Sequence, residues 1–174
     1  MDRLRLSACL AALCLHACGP AERQAVTAPA ALSHVTLETL TSTHRNPDDW
    51  HRLALAANWD FVDAAVWRAI IEQPNCDRAT ALAIFWTASP EYYVQFADRE
   101  DVPTVNRSDY DLITAIRERW LRGDYVRAEL AFDPDIDVWP LDMQDLRRRY
   151  GARVDAVMPA AMRVRLEGRR LAAP

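Results

Sequence analysis

The chain has 174 residues, a 51% hydrophobic composition and a formal net charge of -4 from 21 basic and 25 acidic side chains. That length suits one domain of ordinary size with terminal extensions, and the apolar share is enough to bury a core. A balance so close to neutral excludes the strongly basic field of a nucleic-acid binder, and it recommends no heavily charged partner of either sign.

Arg3 and Arg5 precede an apolar run of about ten residues, Leu6 to Leu15, which has the order and length of a secretory leader. It is too short to span a bilayer. The next residues, Leu15-His16-Ala17-Cys18-Gly19, resemble the lipobox of bacterial lipoproteins: a leucine three places before the cysteine, a small residue directly before it and a glycine after it. His16 departs from the small or hydroxyl residue usual at its place. The resemblance implies cleavage after residue 17 and lipidation of Cys18, whose thiol attacks the diacylglyceryl donor. Two other readings stay open: a plain secretory leader cut near Ala17 or Ala21, and an amphipathic start that is never removed.

On the lipoprotein reading, residues 1–17 are the signal peptide and 18–32 a small, polar, proline-bearing tether. Residues 33–168 then form an all-α domain, and 169–174 are a loose tail. Two or three acyl chains on one residue suffice for stable anchoring. The protein is accordingly expected in the cell envelope, lipid-anchored and facing the periplasm. Gly19, in place of an aspartate, favours the outer membrane of a Gram-negative cell. With Cys9 and Cys14 removed and Cys18 acylated, Cys76 has no partner for an internal disulfide.

From Ser33 onward the punctuation is helical, with strong caps, proline stops and few glycines. Asn46-Pro47-Asp48-Asp49 supplies a cap, a first-turn proline and two carboxylates ahead of a helix running to about Ala57. Asp60 is expected to cap a second helix that Gln73-Pro74 ends. Asp77 caps a third, apolar nearly all round from Ala79 to Ala88 and therefore central. Ser89-Pro90 starts a short aromatic segment with Tyr92, Tyr93 and Phe96. Ser108 or Asp109 opens a helix closed by Gly123. The run Asp133 to Pro140, with two prolines and alternating charge, reads as an irregular acidic connector or short edge strand. Leu141 to Tyr150 and Asp155 to Leu166 are the last two helices.

Asn58-Trp59-Asp60, Pro74-Asn75-Cys76-Asp77, Thr80-Ala81-Leu82 and Ile84-Phe85-Trp86 together resemble the signature of a bacterial family, domain of unknown function 4274. The similarity covers roughly Trp50 to Tyr93, with echoes at Pro140-Leu141 and Gln144. It departs from the family pattern at Ala79 and at Phe61-Val62. The resemblance implies a helical scaffold and no accepted activity, so Asn58, Trp59, Asp60, Asn75, Cys76 and Asp77 are expected as structural motif residues.

Cys76 directly precedes a cap, a place that faces inward, and no motif supplies a base for it, so it is expected to be buried and inert. His44, Asp48 and His51 could share one side of the first helix as a metal-dependent hydrolase would need, yet Asp48 is already explained as a first-turn residue. No catalytic residue, metal or cofactor is therefore assigned.

Charge distribution is the remaining functional signal. Seven acids and one arginine lie between Asp124 and Asp145, against eight arginines and two acids from Arg147 to Arg170. Solvated surface explains this blandly. The sharper reading places Trp139 as an anchor inside a rim of Asp133, Asp135 and Asp137, suited to capturing a basic protein partner. The expectation is a protein-binding lipoprotein, an immunity-type toxin inhibitor in its specific form, with the hydrolase or a ligand-free structural envelope protein as alternatives.

Overall fold

Asn46 lies in extended backbone and its side chain accepts the Asp49 N–H at 3.0 Å, with Pro47 opening the helix and Asp48 and Asp49 in the first turn. This start is determined locally, because the cap satisfies an orphan donor and the carboxylates complement the helix dipole. Helix α1 (Pro47–Ala56) follows. The computed structural model describes Thr36, Glu38, Leu40 and residues 46–171, all within one compact unit, Leu32–Pro174. Cys18, His44, the expected signal peptide 1–17, the tether 18–32 and residues 172–174 lie outside the described residues.

After α1 come a 3-10 turn (Trp59–Phe61), α2 (Ala64–Ile71), α3 (Arg78–Thr87) and the short α4 (Pro90–Tyr93). A second 3-10 turn (Thr104–Asn106) leads into α5 (Arg107–Arg122). Then α6 (Pro134–Asp137), α7 (Met143–Tyr150), α8 (Arg153–Val157) and a last 3-10 turn (Ala160–Met162) complete the order. Among the described residues there is no strand. Isolated bridges join Asp77 with Arg127 and Leu130 with Arg169 in parallel, and Phe132 with Leu166 antiparallel. The fold is an all-α, multi-helix domain.

Helix α3 is the centre. Every residue from Ala79 to Trp86 is buried, as an all-round apolar helix requires. It packs against α1, α2, α4, α5 and α6. Burial of Leu82, Ile84 and Phe85, each fully enclosed, contributes about 1.5–3 kcal/mol per side chain. Gly123 ends α5 at φ 79, the left-handed conformation that glycine adopts without a Cβ penalty.

Asp77 fastens the C-terminal half to this centre. Its Oδ1 accepts the Ala79 N–H at 2.9 Å as the α3 cap, and its Oδ2 accepts the Glu129 N–H at 2.8 Å. Arg127 Nε stands 3.6 Å from the same Oδ2, an ion pair too long for a hydrogen bond. Further on, the indoles of Trp86 and Trp120 donate to the Met162 and Ala161 carbonyls, both at 3.0 Å. These bonds satisfy two large buried donors and tie the last 3-10 turn to α3 and α5. At Gly168 the chain crosses the 129–130 backbone so closely that a Cβ would lie 2.6 Å from the Leu130 carbonyl carbon.

Four expectations require correction. Asp60 does not cap the second helix: Asn58 caps the 3-10 turn by accepting the Asp60 N–H, and α2 begins only after Asp63. The stretch from Asp133 is not an extended connector, because Asp133 and Pro134 nucleate the helical turn α6. The helix expected from Asp155 to Leu166 is instead α8, stopped before Pro159, then a 3-10 turn and extended backbone paired with Phe132. Arg169 and Arg170, read as loose tail, are tied down through a bridge to Leu130 and ion pairs to Asp48 and Asp137, each at 2.9 Å.

Candidate functional site

The acids around Trp139 serve largely to close their own turn. Asp133 is buried, and its Oδ1 accepts the Asp135 N–H at 3.1 Å, while Asp137 accepts the Asp133 N–H at 2.7 Å. Arg170 pairs with Asp137, and Arg165 Nε approaches Asp133 to 3.8 Å. Two of the three rim carboxylates are thus compensated, which leaves Asp135 exposed beside Ile136. Trp139 itself is 49% exposed, an unusual outlay of apolar surface for so large a side chain.

Trp139 stands where two clefts meet. The first, about 240 Å³, is lined by Trp86, Leu141 and Met143 together with Asp133, Asp135, Arg163 and Arg165. Its arginines are already engaged: Arg163 donates to Asp155 and to the Met158 carbonyl, and Arg165 pairs with Glu167 at 2.8 Å. The second cleft is larger, about 460 Å³, within the size range of ligand pockets. Asn58, Trp59, Asp60, Tyr92, Tyr93 and Asp109 are among the residues that line it.

The second cleft is built by four separate parts of the chain, around residues 57–60, 87–93, 106–109 and Trp139. Trp59 stacks on Trp67 with centroids 5.2 Å apart and planes at 15°, which fixes the 3-10 turn on α2. Its indole N–H donates to Asp109 Oδ2 at 3.4 Å, joining that turn to the start of α5. Ser89 adopts φ 54, a left-handed conformation uncommon for a residue with a side chain, at the sharp step from α3 into α4. The step presents Tyr92 and Tyr93, packed edge to face with centroids 5.0 Å apart, and Asn106 holds the Tyr92 hydroxyl at 3.1 Å.

Two half-buried carboxylates flank the cleft. Burial pushes the Asp109 carboxyl above its ordinary value, opposed by the Trp59 hydrogen bond. Glu91 is raised for the same reason, and a hydrogen bond with Trp139 works against the rise. The Oε2 atom of Glu91 is buried with no hydrogen-bond partner among the described residues. The Trp59 indole is therefore held by a carboxylate kept partly from water.

The other candidate residues are engaged elsewhere. Cys76 is buried at 1% exposure, its thiol donating to the Asp77 carbonyl at 3.7 Å. Burial first, and then the Asp77 charge, push its pKa up to about 12, so thiolate is scarce at neutral pH. Asn75 sits exposed in the turn before it. His51 is buried between α1 and α3, its Nδ1 3.2 Å from the Thr80 hydroxyl, and burial lowers its pKa. Asp48 is bound by Arg169, 2.9 Å away, which lowers its carboxyl pKa. No group of three or more metal-ligating side chains that could hold an ion occurs among the described residues.

Glu91, Tyr92, Tyr93, Asn106 and Asp109 escaped assignment from sequence. Tyr92 and Tyr93 were visible as an aromatic segment and Asp109 as a helix opener. Their convergence with Trp59 was not, since 50 residues separate Trp59 from Asp109.

The described residues define an all-α, multi-helix domain in which the exposed Trp139 borders two clefts. Residues 45–121 match the family described as Domain of unknown function (DUF4274). The matched span contains Trp59, Tyr92 and Asp109 and stops short of Trp139. No curated protein and no solved structure matches the chain. Among the described residues, no helix is long and apolar enough to cross a membrane.

Proposed function

We propose that the chain is an envelope-anchored lipoprotein that works by binding another protein, with Trp139 as the anchor of its contact surface. One observation carries the binding reading: a tryptophan 49% exposed stands between two clefts. Tryptophans that fill a partner's pocket act as hot spots, because their large apolar area is desolvated on contact. Tyr92 and Ile136, both exposed, extend that surface with aromatic and aliphatic area. The immunity-type inhibitor of a toxin is the specific form of this reading, since blocking a cleft needs a protruding anchor more than it needs chemistry.

Anchoring rests on the residues from Leu15 to Gly19 and on the polar tether that follows them. Cys18→Ser should move the protein from the membrane fraction to the soluble fraction, or leave an uncleaved precursor, and should abolish metabolic fatty-acid labelling. Absence of label in the wild type, with fractionation unchanged by the substitution, would refute the anchor.

A further inference from the structure

The lining of the larger cleft combines carboxylates with aromatic rings and contains no cationic side chain. Asp60 is exposed at its edge, and Asp109 lies half-buried within it. Trp59, Tyr92, Tyr93 and Trp139 supply the rings. The smaller cleft differs, because Arg163 and Arg165 belong to its lining, the latter 3.8 Å from Asp133. An anionic group entering the larger cleft would meet two like charges. A purely apolar group would cover carboxylates and leave them without partners, at a cost in desolvation.

A planar cation satisfies both kinds of lining. A guanidinium is weakly hydrated, stacks on aromatic faces and donates along two parallel directions to a carboxylate. We propose that this cleft receives an arginine side chain of the captured protein, its guanidinium lying against Tyr92 and Trp139 with Asp60 and Asp109 as counter-charges. The inference rests on the reading of the chain as a protein-binding module, and it relocates the acidic contribution from the self-compensated Asp133 and Asp137 to Asp60 and Asp109. It gives Asp109 a use as well: a carboxylate that burial disfavours while the cleft is empty gains a counter-charge when the cleft is filled.

The test is a titration of the full-length chain, followed by NMR of its indole N–H resonances, with Trp59→Phe and Trp139→Phe used for assignment. The probe is the acetylated, amidated pentapeptide Ala-Leu-Arg-Leu-Ala, compared with the same peptide carrying neutral citrulline for arginine. The arginine peptide should shift the Trp59 and Trp139 resonances saturably, and the citrulline peptide should bind at least tenfold more weakly. Asp60→Asn combined with Asp109→Asn should reduce the arginine peptide to the citrulline level while leaving the remaining indole signals in place. Equal binding of the two peptides, no shift of either resonance, or an unchanged double variant would overturn the proposal, and tighter binding of a lysine peptide would overturn the guanidinium assignment. The outcomes separate the two readings. A protein that contacts its partner through Trp139 but ignores the arginine peptide loses only the cation pocket, whereas one that takes the peptide but contacts no partner at Trp139 loses only the module.

Discussion

The indole N–H of Trp59 donates to the Asp109 carboxylate at 3.4 Å, across 50 residues of chain. The bond joins the 3-10 turn before α2 to the first turn of α5, and both residues line the larger cleft. A carboxylate in a helix's first turn is favoured by the dipole, yet burial outweighs that and raises the Asp109 pKa. An acid raised by folding adds most stability when protonated, and the contribution is lost as pH climbs through the raised value. Asp109→Asn keeps an acceptor for Trp59 without the charge. Its thermal midpoint should exceed the wild type's at neutral pH, and the two should converge towards the ordinary aspartate value of 3.8. A variant less stable than wild type at neutral pH would contradict this, and a more stable one fits a residue kept for binding.

Asp77 carries more than a helix cap, because the same carboxylate receives N–H groups from Ala79 and Glu129 and neighbours Arg127. Asp77→Ala should lower unfolding free energy by about 2–4 kcal/mol, the loss of a cap plus a charge-assisted bond to a second segment. Chemical denaturation measures it. A loss within about 1 kcal/mol would mean that the Glu129 contact adds nothing.

His51 makes stability depend on mild acid. Its pKa is lowered, chiefly by burial, with the Asp77 charge and the Ala131 backbone pulling the other way. A depressed histidine contributes stability that is present above the unfolded value of 6.5 and is lost as pH falls towards the folded one. Denaturation midpoints should therefore drop on acidification from about pH 6.5, and His51→Gln should flatten that slope while retaining a polar contact to Thr80. An identical slope in the variant would place the titration elsewhere.

Cys76 should ignore a thiol reagent in native buffer and react completely once the chain is unfolded. Burial and the pKa of about 12 both require this. Rapid native labelling would revive a nucleophilic role.

Gly168→Ala tests the crossing of the C-terminal segment over residues 129–130. The obstruction is backbone, with Leu130 carbon at 2.6 Å and the Glu129 carbonyl oxygen at 2.7 Å from the added Cβ, so no rotamer change relieves it. The expected loss is about 1–3 kcal/mol. Unaltered stability would show that this crossing opens freely.

Local chemistry was readable and convergence was not. Asn46, Asp77 and Gly123 do what their neighbours in sequence dictate, because caps are satisfied within three residues. Asp133-Pro134-Asp135 repeats the pattern of Asn46-Pro47-Asp48, so α6 was legible in principle, and the alternation of bulk and charge around it hid the signal. Asp60 has the side chain of a cap but not its place, because Asn58 two residues earlier forms a tighter turn of its own. The bond that assembles the site, Trp59 to Asp109, joins residues whose pairing no local rule encodes.

The central claim is that Trp139 meets another protein in the envelope. Its most direct test is photo-crosslinking in living cells, with a benzophenone side chain placed at position 139 of the full-length chain and, as a control, at Val126, which is 80% exposed and lines neither cleft. The account predicts one discrete adduct from position 139, weakened by Asp60→Asn with Asp109→Asn and absent from position 126. Adducts of equal yield from both positions, or none from position 139, would contradict it.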